Sequence, residues 1–289
     1  MPSSKPSSAE QDSRRRAAFV MGETLAALTA TFVLAGLAVV RGAVRLIASP
    51  PISDDSTTVW AFLAAFTAVT VVILLLLRTY KGSRIFEAVF LLAIFTGIGS
   101  LFADLFGAPV AVLATAAAVF LYYGARSVAV FDLLLVAGSA GVAANLGVSM
   151  SPIGVAIILA ILAGYDIVAV YVTKHMVVMA ESLLRRRVFF AMILPERPTD
   201  FLLPVAEAKP GSGFVFLGTG DVILPALLVA SVARVSLIAA SVVGLGALCG
   251  AAALHLLFLG QKVRKPMPAL PPIAAGALLG FVATFFLPL

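Results

Sequence analysis

The chain has 289 residues, 62% of them hydrophobic and only 12% charged, with a mean hydropathy of +1.11. Soluble domains are roughly 45–50% apolar and about 25% charged, so a water-soluble globular domain is excluded and an all-α integral membrane protein is expected. The formal charge of +6 belongs to basic residues that orient membrane segments, and no nucleic-acid partner is expected from it.

In chain order, residues 1–16, "MPSSKPSSAEQDSRRR", are polar and rich in Ser and Pro and are predicted to be a disordered tail. The arginines beside "AAF" superficially suggest a twin-arginine export signal. A basic anchor before a first membrane helix fits better, because many more apolar segments follow. A helix that crosses a bilayer needs about 20 mostly apolar residues. That length predicts nine transmembrane helices, near 18–40, 59–77, 85–103, 108–124, 127–146, 152–179, 212–233, 236–259 and 269–288. They divide into a six-helix part over 17–180 and a three-helix part over 212–289. Between them, 181–211 reads as a flexible cytoplasmic loop carrying "LLRRR", "PERP" and "EAKPGSG".

With nine spans, sixteen Lys and Arg residues fall on the side of the N-terminal tail and three (Arg41, Arg45 and Arg234) on the other. Positive residues stay cytoplasmic, so the N-terminus is expected inside a cell membrane and the C-terminus outside. The one cysteine, Cys249, rules out an intrachain disulfide or a cysteine metal cluster. His175 and His255 lie far apart in sequence, and neither a metal nor a cofactor is expected.

The acidic residues in or near apolar runs are Glu23, Glu87, Asp104, Asp132, Asp166 and Asp221. Glu87, Asp104 and Asp132 lie near predicted span ends, where a carboxylate can be solvated, and Glu23 is placed to snorkel to the surface. Asp166 and Asp221 are deeper. At 1.5 Å per residue they lie roughly 20 Å and 14 Å from the cytoplasmic ends of spans six and seven. Adjacent antiparallel helices can therefore hold them face to face. Lys174, two turns beyond Asp166, moderates the field there without neutralising two acids.

Two carboxyls in contact tend to share one proton. The ionised member then acts as a base toward water, and the protonated member polarises a carbonyl and supplies the leaving group's proton. Gly218 and Gly220 beside Asp221 permit close backbone approach and departure from helical geometry. An extended substrate can pair with irregular backbone there as an added strand. Prolines 266, 268, 271 and 272 prevent a regular helix start before span nine. Such irregular backbone is tolerated at membrane depth where it is buried or lines an aqueous cavity. Gly276 and Gly280 form a GxxxG packing pattern.

Taken together, Tyr165-Asp166, Gly218-x-Gly220-Asp221 and Pro268-Ala269-Leu270 resemble the motifs of the presenilin and signal peptide peptidase family of intramembrane aspartyl proteases. The similarity is concentrated in residues 152–289. It implies a presenilin-like fold, Asp166 and Asp221 as catalytic residues, Tyr165 as active-site support, and Pro268, Ala269 and Leu270 as a substrate-binding element. The mixture of features resembles the archaeal homologues of the family. Thr219 departs from the leucine common between the two glycines, which bears on substrate preference.

The expected function is an endopeptidase that cleaves transmembrane helices of substrate proteins within the lipid bilayer; a homo-oligomer is left open. The alternative is a proton-coupled transporter, which also uses intramembrane carboxylates and broken helices, although nine spans divide poorly into halves and no inverted repeat shows. A prepilin-type peptidase also has a glycine-flanked aspartate but lacks the proline-alanine-leucine element. A scaffold without chemistry would leave the membrane carboxylates unexplained.

Overall fold

The computed structural model describes residues 8–45, 56–79, 84–172, 190–209, 212–259 and 267–286. Among them are nine α-helices: α1 (Ser8–Arg45), α2 (Ser56–Thr79), α3 (Arg84–Phe106), α4 (Ala108–Ala125), α5 (Val128–Ser149), α6 (Pro152–Ile167), α7 (Thr219–Ala233), α8 (Leu237–Leu259) and α9 (Leu270–Thr284). Six of these segments are long and apolar enough to cross a membrane by length and composition; α2, α7 and α9 contribute shorter apolar stretches.

Helix ends follow local chemistry. The turn between α3 and α4 uses Gly107 at φ 100°, a left-handed conformation that suits glycine. Ser127 caps α5 by accepting from the amide of Val130 at 3.4 Å, and Ser151 caps α6 by accepting from Gly154 at 3.1 Å. Helix α6 does not end at Ile167 but continues as a π-helical turn over Val168–Val172. Such turns are rare and often mark functional sites.

Small residues set the core. Helix α5 packs against α1, α3, α4 and α7 with Gly138, Ala140, Gly141, Ala143 and Ala144 all buried. A Cβ on Gly141 would overlap the backbone carbonyl of Gly97 on α3. Helices α8 and α9 interlock similarly, because a Cβ on Gly276 would strike the carbonyl of Gly246. In lipid, helices associate through such close packing rather than through a hydrophobic drive.

Three parts of the chain depart from the sequence-based expectation. Residues 8–16, expected within a disordered tail, extend α1. Their Ala, Gln and Arg residues favour helix, Asp12 and Arg16 pair at i, i+4, and Arg16 also lies 4.0 Å from Glu196.

Within the loop expected over 181–211, residues Ala191–Pro195 form strand β1, followed by 3₁₀ turns at Pro198–Leu202 and Val205–Glu207. The turns are fastened to the start of α5: Val128 donates to the carbonyl of Leu203 at 3.0 Å, and Val205 to that of Arg126 at 2.9 Å.

The third departure is span seven. Its expected first residues form strand β2 (Phe214–Gly218), antiparallel to β1 with Ile193 opposite Phe216 and Ala191 opposite Gly218. Helix α7 therefore begins only at Thr219. "FVFLG" is apolar enough for a helix by hydropathy, but its aromatic and β-branched residues suit a strand once a partner is present. The junction is held by Thr219, whose amide and hydroxyl both donate to the carbonyl of Phe190, at 3.2 and 3.3 Å.

Candidate active site

Asp166 is the penultimate residue of the α-helical part of α6, just before the π turn. It is 6% exposed, although α6 otherwise carries apolar residues. The amide facing its carboxylate is that of Leu270, the first residue of α9. The local sequence explains why that amide is available. Helix α9 starts without a side-chain cap, so its first N–H groups have no intrahelical acceptor. Prolines 271 and 272 carry no N–H at all. The other carboxylate oxygen of Asp166, Oδ2, is buried with no hydrogen-bond partner among the described residues.

Asp221 occupies the first turn of α7, where the helix dipole favours negative charge. It is half-buried, and the amide of Gly218 faces its carboxylate. Oδ2 of Asp221 lies 3.0 Å from the place a Cβ on Gly218 would occupy. Gly218 itself has φ −56° and ψ 140°, a conformation open to any residue. Glycine there gives the carboxylate room; its backbone freedom is not used. Among the described residues, a Cβ on Gly220 would meet nothing within 4 Å.

Helix α6 packs against both α7 and α9, and the charge of Asp166 acts directly on Asp221. The two acids, with one backbone amide each, thus share one locality at the start of α7 and the start of α9. Tyr165 is half-buried beside Asp166 and feels its charge. Pro268 is buried, Ala269 half-buried and Leu270 4% exposed, and together they bring the first amide of α9 to Asp166. Lys174 and Pro266 lie outside the described residues.

Two acidic residues do not behave as their place in the sequence suggested. Asp132, expected to be solvated near a span end, is 9% exposed, and its Oδ1 accepts from the amide of Ile193 in β1 at 2.9 Å. The strand folds back over the helix end and takes the place of water. Glu23, expected to snorkel, has both carboxylate oxygens buried and without a hydrogen-bond partner among the described residues. It lies near enough to Asp132 for their charges to interact. One residue further along α1, Thr24 pairs with His255 of α8 at 2.9 Å. Glu87, half-buried, accepts from the hydroxyl of Tyr122 at 3.3 Å.

A cavity of about 420 Å³ lies apart from the acid pair, where Glu87, Tyr122, Arg126 and Phe131 face Pro204 and Val205.

A profile of the family described as signal-peptide peptidase, presenilin aspartyl protease matches residues 17–288, and the chain belongs to that family. Two solved structures of a presenilin family intramembrane aspartate protease share its fold. The one in space group C222 is 26% identical, with a TM-score of 0.60, over 90% of this chain and 94% of that one. The one in space group P2 is 28% identical, with a TM-score of 0.58, over 89% and 96% of the two chains. A comparison with curated proteins gives no match. The protein is an intramembrane aspartate protease, a peptide hydrolase of the membrane, and these matches give the transporter reading no support.

Proposed function

We propose that Asp166 and Asp221 are the catalytic pair and that they hydrolyse peptide bonds within transmembrane segments of substrate proteins. The observation that supports this reading is that Asp166 of α6 lies near enough to Asp221 of α7 for its charge to act there, with a backbone amide facing each acid, Leu270 for Asp166 and Gly218 for Asp221. Two such carboxyls hold one proton between them. The ionised member takes a proton from water as that water attacks the scissile carbonyl. The protonated member hydrogen-bonds the carbonyl oxygen, and a proton then passes to the departing amine. Water is consumed, and an amine and a carboxylic acid are released.

A helical peptide bond is shielded by its own hydrogen bonds, so the substrate is cleaved as an extended segment. The strand-to-helix junction at Gly218 and Thr219 offers a place where such a segment can lie as an added strand. Pro268, Ala269 and Leu270 shape the opposite wall, and Tyr165 supports Asp166.

The excess of basic residues on one side of the nine spans supports a cytoplasmic N-terminus and an extracytoplasmic C-terminus. By the same reasoning, substrates enter with their own N-termini outside. A tag at Leu289 that is accessible only from the cytoplasm would reverse that orientation.

The test of the chemistry is purified full-length protein with a labelled transmembrane peptide. Cleavage that disappears in both Asp166→Asn and Asp221→Asn supports the pair; turnover surviving in either variant refutes it.

A further inference from the structure

We propose that Asp132 is a positioning residue of the proteolytic site: by accepting the outward-facing amide of Ile193 it fixes strand β1, and through β1 the register of β2 and the placement of Asp221. The inference rests on the reading of Asp166 and Asp221 as the catalytic pair.

The hydrogen-bond phase of the hairpin shows which way that amide points. Glu196 donates to the carbonyl of Gly213 at 2.7 Å, and Thr219 donates to that of Phe190 at 3.2 Å. In an antiparallel ladder, hydrogen-bonded and non-hydrogen-bonded pairs alternate along the strand. The even-numbered residues from 190 to 196 therefore bond across to the partner strand. Ile193, opposite Phe216, turns its N–H away from β2 and toward α5.

An outward strand amide is usually satisfied by water or by another strand, and natural sheets block such edges. Here Asp132 Oδ1 takes the amide at 2.9 Å, and the surroundings are dry: Met192, Ile193 and Leu194 are at most 3% exposed.

Gly218 mirrors this arrangement. It sits opposite Ala191, in a non-hydrogen-bonded pair of the same phase, so its amide turns to the outer side of β2, on which side the Asp221 carboxylate lies. One acid thus holds the back edge of the hairpin while another receives the amide at its front edge. A one-residue slip of β1 would break the Asp132 bond, turn the ladder over and move the Phe190 carbonyl that anchors Thr219, two residues before Asp221. The groups facing Asp132 are Glu23 from α1 and the Ile193 amide from β1.

A purely structural acid would affect stability alone. A positioning acid affects turnover and the cleavage position, and a neutral acceptor should replace it. The full-length protein is assayed in detergent with a labelled transmembrane peptide as Asp132→Asn and Asp132→Leu, with Asp166→Asn and Asp221→Asn alongside. Product masses and hydrogen exchange at the Ile193 amide are recorded.

Asp132→Asn keeps an acceptor and is expected to retain kcat within about threefold, whereas Asp132→Leu leaves the amide unpaired and is expected to lose about 10- to 100-fold in kcat. In the leucine variant KM changes little, Ile193 exchanges faster and additional cleavage positions appear. Wild-type kcat with unchanged exchange in Asp132→Leu overturns the proposal. So does a folded Asp132→Asn protein as impaired as the leucine variant, and that measurement decides alone if Asp132→Leu fails to fold. Cleavage persisting in Asp166→Asn or Asp221→Asn refutes the catalytic pair, and this proposal with it, even where exchange at Ile193 still reports the tether.

Discussion

The amide of Gly218 faces the carboxylate of Asp221, and Asp221 Oδ2 stands 3.0 Å from the position of the Cβ that Gly218 lacks. A methyl group there forces the carboxylate aside by a few tenths of an ångström. Misplacement of a reacting group by 1 Å can cost about 100-fold, so Gly218→Ala is expected to lower kcat by roughly 10-fold or more, with thermal stability nearly unchanged. Gly220→Ala, whose methyl group meets no neighbour among the described residues, should cost distinctly less. Steady-state cleavage kinetics of the two variants, beside their melting curves, make the comparison; equal losses would remove the spatial explanation.

The paired acids also predict a pH profile. One proton on the pair is the working state, so activity falls at low pH, where both carboxyls are protonated. It falls again at high pH, where both are ionised. A bell-shaped kcat profile with two macroscopic limits that belong to the pair is expected. A single sigmoid across the range in which the protein stays folded would contradict the shared proton.

Because the acids act as one unit, their losses should not add. Asp166→Asn/Asp221→Asn is expected to be no slower than either single variant, as is usual for residues that share one step. A double variant slower by the product of the single effects would indicate two independent roles, and single-turnover cleavage can measure it.

At Leu270 the backbone and side-chain contributions can be separated. Leu270→Pro removes the amide that faces Asp166, whereas Leu270→Ala keeps the amide and removes a side chain only 4% exposed. Loss of one hydrogen-bond donor at a reacting centre costs about 100- to 1,000-fold in kcat where it stabilises the transition state. The proline variant is therefore expected to be well below the alanine variant in kcat, and the alanine variant to show the larger part of its deficit in melting temperature. The reverse order would mean that Leu270 acts only through packing.

Stability has its own test between α8 and α9. A Cβ on Gly276 overlaps the carbonyl of Gly246, and overpacking of a tight contact costs typically about 1–3 kcal/mol. Gly276→Ala should lower the unfolding midpoint in detergent. It should also reduce cleavage, because α9 carries the Leu270 amide.

Much of this architecture is legible in the sequence, because the bilayer demands long apolar helices and penalises unpaired charge. Asp166 and Asp221 stand out for that reason, and the prolines before α9 mark a broken helix start. The hairpin is not legible. β1 and β2 are short apolar runs far apart in the chain, and "FVFLG" has the same hydropathy whether it coils or extends. Asp132 is hidden for a related reason: near the end of an apolar run a solvated carboxylate is the simpler reading, and only the return of β1 over the end of α5 shows what occupies the place of water. At Gly218 the sequence suggests close backbone approach or freedom from helical geometry, whereas in three dimensions the missing Cβ leaves room for the Asp221 carboxylate, a relationship that no local pattern records.

The short seventh helix has a further consequence. Fifteen residues rise about 22 Å, less than the roughly 30 Å of hydrocarbon in a bilayer. The remaining depth is taken up by β1 and β2, whose cross-strand hydrogen bonds pair backbone that would otherwise be left bare in hydrocarbon. A helix too short for the bilayer can thus start below the membrane face on chain whose polar groups already have partners.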